Sequence, residues 1–218
     1  MMDLEFSFSA IGRLLSTFNG RDKLLLLAFS LSRLNRGVLA LPAVESALGE
    51  EERDCLLQKN NALFFSLSKA RRAFRFFSSI PALLALRAGM ASKPWGESNQ
   101  PFFLASKILL IGWPLIDHAR YFVELGWYGE TKDKVALHLA AYRMLCMAQI
   151  FAAMATVRRW QSGEGGVALK DVIHAACGIV ATGHVGKFPG LESNDIVAGA
   201  AGTASTLMAL QKSWPKQK

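Results

Sequence analysis

The sequence contains few of the residues on which disulfide frameworks, metal sites and catalytic clusters depend. Its 218 residues include three cysteines and four histidines. The cysteines lie far apart and form neither a CxxC pair nor an even set. No HExxH, GxGxxG or phosphate-loop motif occurs. We therefore expect no catalytic residue, no metal ligand and no cofactor, and we expect that the protein is not an enzyme.

Negative charge is scarce relative to positive charge. The chain has 25 lysines and arginines against 17 acidic residues, a net charge of +8, which indicates an anionic partner. Binding to nucleic acid would require exposed stacking aromatic residues beside the basic ones. Here Arg71, Arg72 and Arg75 lie opposite phenylalanines on one predicted helix. We therefore expect an anionic lipid leaflet as the partner, and no nucleic acid.

Segment 61–86 has the pattern of a basic amphipathic helix. Apolar side chains recur at helical spacing along one stripe, and arginines and serines gather on the opposite side. Such a helix can lie in a membrane surface, with its apolar stripe among the lipid chains. A soluble helix with a solvated basic face is the alternative. The predicted membrane-binding residues are Leu63, Leu67, Lys69, Arg71, Arg72, Phe74, Arg75 and Phe77.

The chain is predicted to be all-α, with amphipathic helices first and short hydrophobic helices last. Residues 1–90 form the amphipathic, membrane-remodelling part, with helices expected over 3–18 and 21–37 and an acidic helix or loop over 43–57. Residues 91–101, which contain glycine, proline and serine, form a linker. Residues 102–218 form a hydrophobic helical membrane region.

Several apolar runs follow the linker. Run 101–116 is short and contains Lys107, so an interfacial or re-entrant helix is as compatible with it as a span. Run 135–157 has the length of a span, and a moderately apolar helix is expected over 167–186. Run 195–210 is predicted to form a span or hairpin. Its Gly199, Gly202 and Ser205 are expected to let helix backbones approach closely.

Four separated segments of the chain form an ordered set of motifs. Residues 20–34 read GRDKLLLLAFSLSRL, and residues 68–83 read SKARRAFRFFSSIPAL. Residues 113–129 read WPLIDHARYFVELGWYG, and residues 193–214 read SNDIVAGAAGTASTLMALQKSW. In this order and spacing, which extend over most of the chain, they resemble the motifs of the peroxin-11 family of peroxisomal membrane proteins. The second is similar to the basic amphipathic helix of that family and the fourth to its closing helix.

The resemblance implies a protein of the peroxisomal or glycosomal membrane. Such a protein inserts basic amphipathic helices into the cytosolic leaflet, elongates the organelle for proliferation and fission, associates into homo-oligomers and recruits the organelle division machinery. The physical argument agrees with this mechanism, because a helix that occupies area in only one leaflet favours curvature.

Two other functions are compatible with the sequence. A membrane pore or metabolite channel is suggested by Lys107, His138, Arg143 and His174, which are ionisable residues within or beside apolar runs. A soluble helical adaptor protein is the second alternative, and extraction with carbonate would distinguish it from either membrane protein.

Overall fold

The structure is a computed structural model, and it describes residues 17–75, 80, 83–84, 86–87, 100–127, 129–161 and 169–214. Within these residues the chain is helical and has no strand. The all-α prediction is therefore confirmed for the described part. The helices are α1 (Phe18–Leu39), α2 (Pro42–Leu48), α3 (Glu50–Phe74), α4 (Gln100–Glu124), α5 (Thr131–Gln161), α6 (Leu169–Val185) and α7 (Asp195–Ser213).

The first three helices are separated by short breaks. Helix α1 begins after Thr17, whose hydroxyl oxygen accepts a hydrogen bond from the backbone N–H of Gly20 at 3.0 Å. Gly49, with a φ of 83°, separates α2 from α3. Helix α3 starts with three glutamates, which favour a helix N-terminus. The acidic segment is therefore helical on both sides of Gly49, and the central helix starts well before residue 61.

Within the described ranges, two helices are long and apolar enough to cross a membrane. They are Pro101–Glu124 and Asp133–Gln161, and a third candidate is the pair Gly20–Leu39 and Pro42–Leu48 if its bend of 78° lies within one span. The helix that starts at run 101–116 continues through Pro114 to the end of α4. It is consequently long enough to span a membrane, because the residues that follow position 116 continue the same helix. Run 135–157 lies inside α5, as its length indicates.

Helix α7 corrects one prediction. Run 195–210 forms a helix, but α7 is not among the candidate spans of the described chain. Its glycines, threonines and serines lower its hydropathy, and it packs instead against α1 and α6. The predicted helix 3–18, apart from its last residues, and nearly all of the predicted linker lie outside the described residues.

Six of the described helices, all except α2, form a closed cycle in which each packs against two neighbours. Helix α1 lies between α3 and α7, α6 lies between α7 and α5, and α5 packs along α4. The end of α3 then contacts the end of α4. Because α1 packs against α7, the two regions that we separate at the linker share an extensive interface.

Glycines make the α1 and α7 interface close. A Cβ atom on Gly199 would lie 2.5 Å from the backbone nitrogen of Leu34, and one on Gly202 would lie 2.9 Å from the hydroxyl of Ser30. The hydroxyl of Ser205 donates a hydrogen bond to the carbonyl oxygen of His174 in α6 at 3.5 Å. All three small residues that the sequence singles out therefore contact other helices of the same chain.

Candidate membrane interface and buried charge network

The described side chains are distributed in the opposite way to those of a soluble protein. Most buried apolar residues are small, and as many polar or charged residues are buried as apolar ones. Soluble proteins almost never bury arginine or aspartate to this extent unless it is paired. The buried polar residues are Ser30, Ser32, Arg33, Asn60, Arg71, Arg72, Arg75, Ser106, Asp117, His118 and Thr206.

Large apolar side chains instead cover the outside of the candidate spans. Only 22% of the apolar window of α4 and 17% of that of α5 is buried within the chain. Phe103, Ile108 and Leu115 of α4 are exposed, whereas Asp117 of the same helix is buried. Helices in lipid direct ionisable residues towards the interior of the bundle and apolar residues outwards. This surface therefore has the chemistry of a lipid-facing one.

Helix α3 follows the same rule, with its apolar stripe outside and its arginines inside. The inward position of the arginines reverses part of our prediction. Its apolar stripe faces outwards: Leu63 is 53% exposed, Leu56 is exposed and Leu67 is half-buried. Lys69 is exposed as well. The side chain of Phe74 and the whole of Phe77 lie outside the described residues.

The three arginines of α3 do not form a basic surface. Arg71, Arg72 and Arg75 are 7%, 4% and 8% exposed. The expectation that they face lipid headgroups is wrong for this conformation, because carboxylates of two other helices draw them inwards. The sequence correctly opposes the apolar and basic faces of the helix, but the basic face is the inner one.

Asp22 of α1 and Asp117 of α4 hold two of these arginines. The Nε of Arg71 lies 3.3 Å from a carboxylate oxygen of Asp22, and the Nε of Arg75 lies 3.8 Å from the same oxygen. A terminal nitrogen of Arg75 lies 3.7 Å from the carboxylate of Asp117. The end of α3 is thereby tied to both α1 and α4.

Glu124, the last residue of α4, holds the third arginine. Arg72 donates to its carboxylate at 2.5 Å, and Arg120 lies 3.0 Å from the other carboxylate oxygen. Lys134 of α5 approaches the same group at 3.7 Å. Removing one member of such a buried network costs about 3–5 kcal/mol, because the remaining charges lose their partner.

Aromatic rings complete the environment of the arginines. The Arg75 guanidinium lies 4.6 Å from the centre of the Trp113 ring, and that of Arg71 lies 5.6 Å from the centre of the Phe29 ring. Burial lowers the pKa of Arg71 to about 10, so this side chain still carries its charge at neutral pH. The contact between Arg71 and Asp22 therefore involves a charged guanidinium.

The four residues that suggest a channel occupy different environments. His138 contacts Arg120 at 2.5 Å, and Arg143 donates to the carbonyl oxygen of Gly186 at 3.0 Å. The Lys107 amine lies over the ring of Phe103. Burial lowers the pKa of His174, and the nearby charge of Lys212 lowers it further. No group of three metal-ligating side chains occurs in the described part of the chain.

Sequence reasoning missed the carboxylates of the network. Asp22, Asp117 and Glu124 are distant along the chain from the three arginines of α3, and no local periodicity connects them to these arginines. A signal was present nonetheless, since Asp117 directly follows an apolar run and an ionisable residue there requires a partner.

We compared the chain with models of protein families, with curated proteins and with solved structures, and none of the three comparisons found a match. Membership of the peroxin-11 family therefore stays a prediction from the motifs.

Proposed function

We propose that this protein is an integral membrane protein that elongates and divides peroxisomes or glycosomes. The observation that carries the membrane part of the proposal is the outward apolar surface of α4 and α5, combined with the inward ionic network. The organelle and the role in its division rest on the resemblance to the peroxin-11 family. A soluble adaptor would have to leave the same apolar surface in water, which is unfavourable.

Helix α3 supplies the curvature in this proposal. Its exposed Leu56 and Leu63 enter the headgroup boundary of the cytosolic leaflet, and the exposed Lys59 beside them attracts anionic lipids. The arginines act differently from the sequence-based hypothesis, because they anchor the end of α3 to α1 and α4. The wedge is then attached to the candidate spans and moves with them.

Homo-oligomers and the organelle division machinery are the proposed partners. Gly199 and Gly202 already contact α1 within the chain, so contacts between copies would use another surface. The exposed Leu169 and Ile173 of α6 and Leu207 of α7 are outward apolar positions on the neighbouring helices. Association of many copies would make the bending of the membrane cooperative.

The test is a pair of matched variants of the full chain reconstituted in anionic vesicles. One variant carries Leu56→Glu and Leu63→Glu on the apolar stripe. The control carries Gln58→Glu and Ser66→Glu, which add the same charge to other exposed positions of α3. We expect the stripe variant to lose vesicle tubulation, seen by electron microscopy, while the control tubulates like wild type. Equal tubulation by the two variants would contradict the proposal.

Expression in cells that lack the endogenous factor tests the organelle. We expect wild-type protein and the control variant to lengthen peroxisomes or glycosomes and raise their number, and the stripe variant to reach the membrane without changing organelle shape. Uniform cytosolic staining of the wild type would exclude both the location and the mechanism.

A further inference from the structure

A cavity of about 510 Å³ lies among six helices, all except α2, and the connection between α6 and α7. Its volume is within the range of about 300–1,000 Å³ that is typical of small-molecule sites. The helices that enclose it come from both sides of the predicted linker. Membrane bending by the α3 stripe does not require this cavity.

The cavity is electropositive. Five basic side chains line it, and four carboxylates line it or bind those basic groups, which leaves an excess of one positive charge among the described residues if the histidines are neutral. The basic residues are Arg33, Arg36, Arg72, Arg120 and Lys187. The carboxylates are Asp117, Glu124, Glu192 and Asp195. A cavity with this balance favours an anionic ligand.

Three of the lining arginines have a buried Nε atom without a hydrogen-bond acceptor. Within the described part of the chain, these are the Nε atoms of Arg33, Arg72 and Arg120, and Arg33 and Arg72 are only 7% and 4% exposed. Asp195 bonds to Arg36 at 2.8 and 2.9 Å and is 3.9 Å from Arg33. These Nε atoms are themselves closed to solvent, so they show that the arginine cluster beside the cavity is incompletely neutralised and hydrogen-bonded, and they are not donors to a ligand in the cavity.

Aromatic rings hold Arg33 in place. Phe29 and Phe64 stack with their ring centres 4.4 Å apart, and the Arg33 guanidinium lies 5.3 Å from the centre of each ring. The guanidinium is therefore positioned before any ligand arrives, which lowers the entropic cost of binding. The two rings also give the cavity an apolar wall beside its charges.

We propose that this cavity binds a phosphate group, carried either by a small organic molecule or by a lipid headgroup. A phosphate ester carries a charge of about −1.5 to −2 at neutral pH and has several acceptor oxygens, which suits a cavity lined by five basic side chains with a positive balance. Guanidinium groups bind phosphate oxygens in pairs. Arg33 at the aromatic wall and the exposed Lys187 contact the phosphate, and the rings contact the organic part.

Two variants test the site in the full chain, purified in a maltoside detergent that contains no phosphate. Arg33→Gln removes the arginine whose loss leaves no carboxylate unpaired, since Asp195 keeps Arg36. Lys187→Asn changes an exposed residue with a φ of 46°, a conformation that asparagine tolerates. Arg53→Gln, which removes an arginine of α3 that does not line the cavity, is the matched control.

The measurement is calorimetric titration with inorganic phosphate against potassium chloride at constant ionic strength. We expect saturable binding to wild type, an unchanged Kd for Arg53→Gln and a Kd raised at least about tenfold for Arg33→Gln and Lys187→Asn. If Arg33→Gln does not fold, Lys187→Asn decides alone. The absence of saturable binding to wild type, or cavity variants that bind like the control, would overturn the proposal.

A second titration distinguishes the two sources of phosphate. Phosphatidic acid is added to the detergent micelles before the phosphate titration. If a lipid headgroup is the natural ligand, about one phosphatidic acid per protein displaces inorganic phosphate. If a soluble phosphate compound is the ligand, phosphatidic acid leaves the Kd for phosphate unchanged. Both results support a phosphate site.

Discussion

The substitution Glu124→Gln tests whether the α3 arginines are structural anchors. Glu124 is the last residue of α4 and binds Arg72 at 2.5 Å and Arg120 at 3.0 Å, with its side chain 11% exposed. Glutamine keeps the shape and removes the charge. The expected loss of stability is about 3–5 kcal/mol, because the buried guanidinium of Arg72 loses its counter-charge and Arg120 keeps only Asp117, at 3.9 Å.

This free energy corresponds to a large change in melting temperature. For a chain of this size, 1 kcal/mol shifts Tm by about 2–4 °C, so Glu124→Gln should lower Tm by about 6–20 °C. The assay is thermal unfolding of the full chain in detergent micelles, followed by circular dichroism. Glu45→Gln is the control, because it removes an exposed partner of Arg53. Its effect should stay below about 1 kcal/mol.

The double variant Arg72→Gln, Glu124→Gln completes the cycle. If the two residues interact as the structure places them, the double variant should lose less stability than the sum of the single variants, by about 0.5–3 kcal/mol. A Tm for Glu124→Gln within 2 °C of the Glu45→Gln control would refute the reasoning, since it would mean that the arginines do not depend on this carboxylate.

Two further predictions concern helix packing and pH. Gly199→Ala should destabilise the chain more than Gly202→Ala. The methyl group added at position 199 meets the backbone of Leu34, whereas the one added at position 202 meets the side chain of Ser30, which can rotate. Equal Tm values of the two variants in micelles would contradict this. Burial and Lys212 lower the pKa of His174 in the folded chain, so this imidazole binds a proton more readily in the unfolded chain. The free energy of unfolding should therefore fall as the pH drops below about 6.5, by at most about 1.4 kcal/mol per pH unit. His174→Gln should reduce the loss of Tm between pH 7.5 and pH 5.5, and an unchanged loss would exclude this contribution.

Local patterns were sufficient to predict three of the described helices. The apolar periodicity of α1, α5 and α6 places these elements within a few residues of their observed ends, because helix formation depends on neighbours three and four positions apart. The same periodicity separates Leu63 from Arg71 and Arg75 on α3.

The direction in which each face points was not predictable in the same way. A basic face is equally compatible with lipid headgroups and with carboxylates of the same chain, and only the positions of Asp22 and Glu124 in three dimensions select the second. Likewise, the glycines of α7 indicate close packing, but whether the neighbour is α1 or a second copy depends on the tertiary fold.

The cavity illustrates a further limit of the sequence. Its basic residues come from several helices and from the connection between α6 and α7. No linear motif unites them, so the net charge of +8 was the only sequence signal of an anionic partner. That signal suggested a lipid surface and did not suggest an interior site.

The accessibility of spin labels in vesicles tests the central claim, which is that the exposed apolar side chains of α3 and α4 face lipid. Labels are attached at Leu63→Cys, Leu115→Cys and Gln58→Cys in a chain without other cysteines. The account predicts that labels at positions 63 and 115 are relaxed by oxygen, which dissolves in lipid, and the label at 58 by an aqueous nickel complex. Relaxation of all three labels by the nickel complex would contradict it.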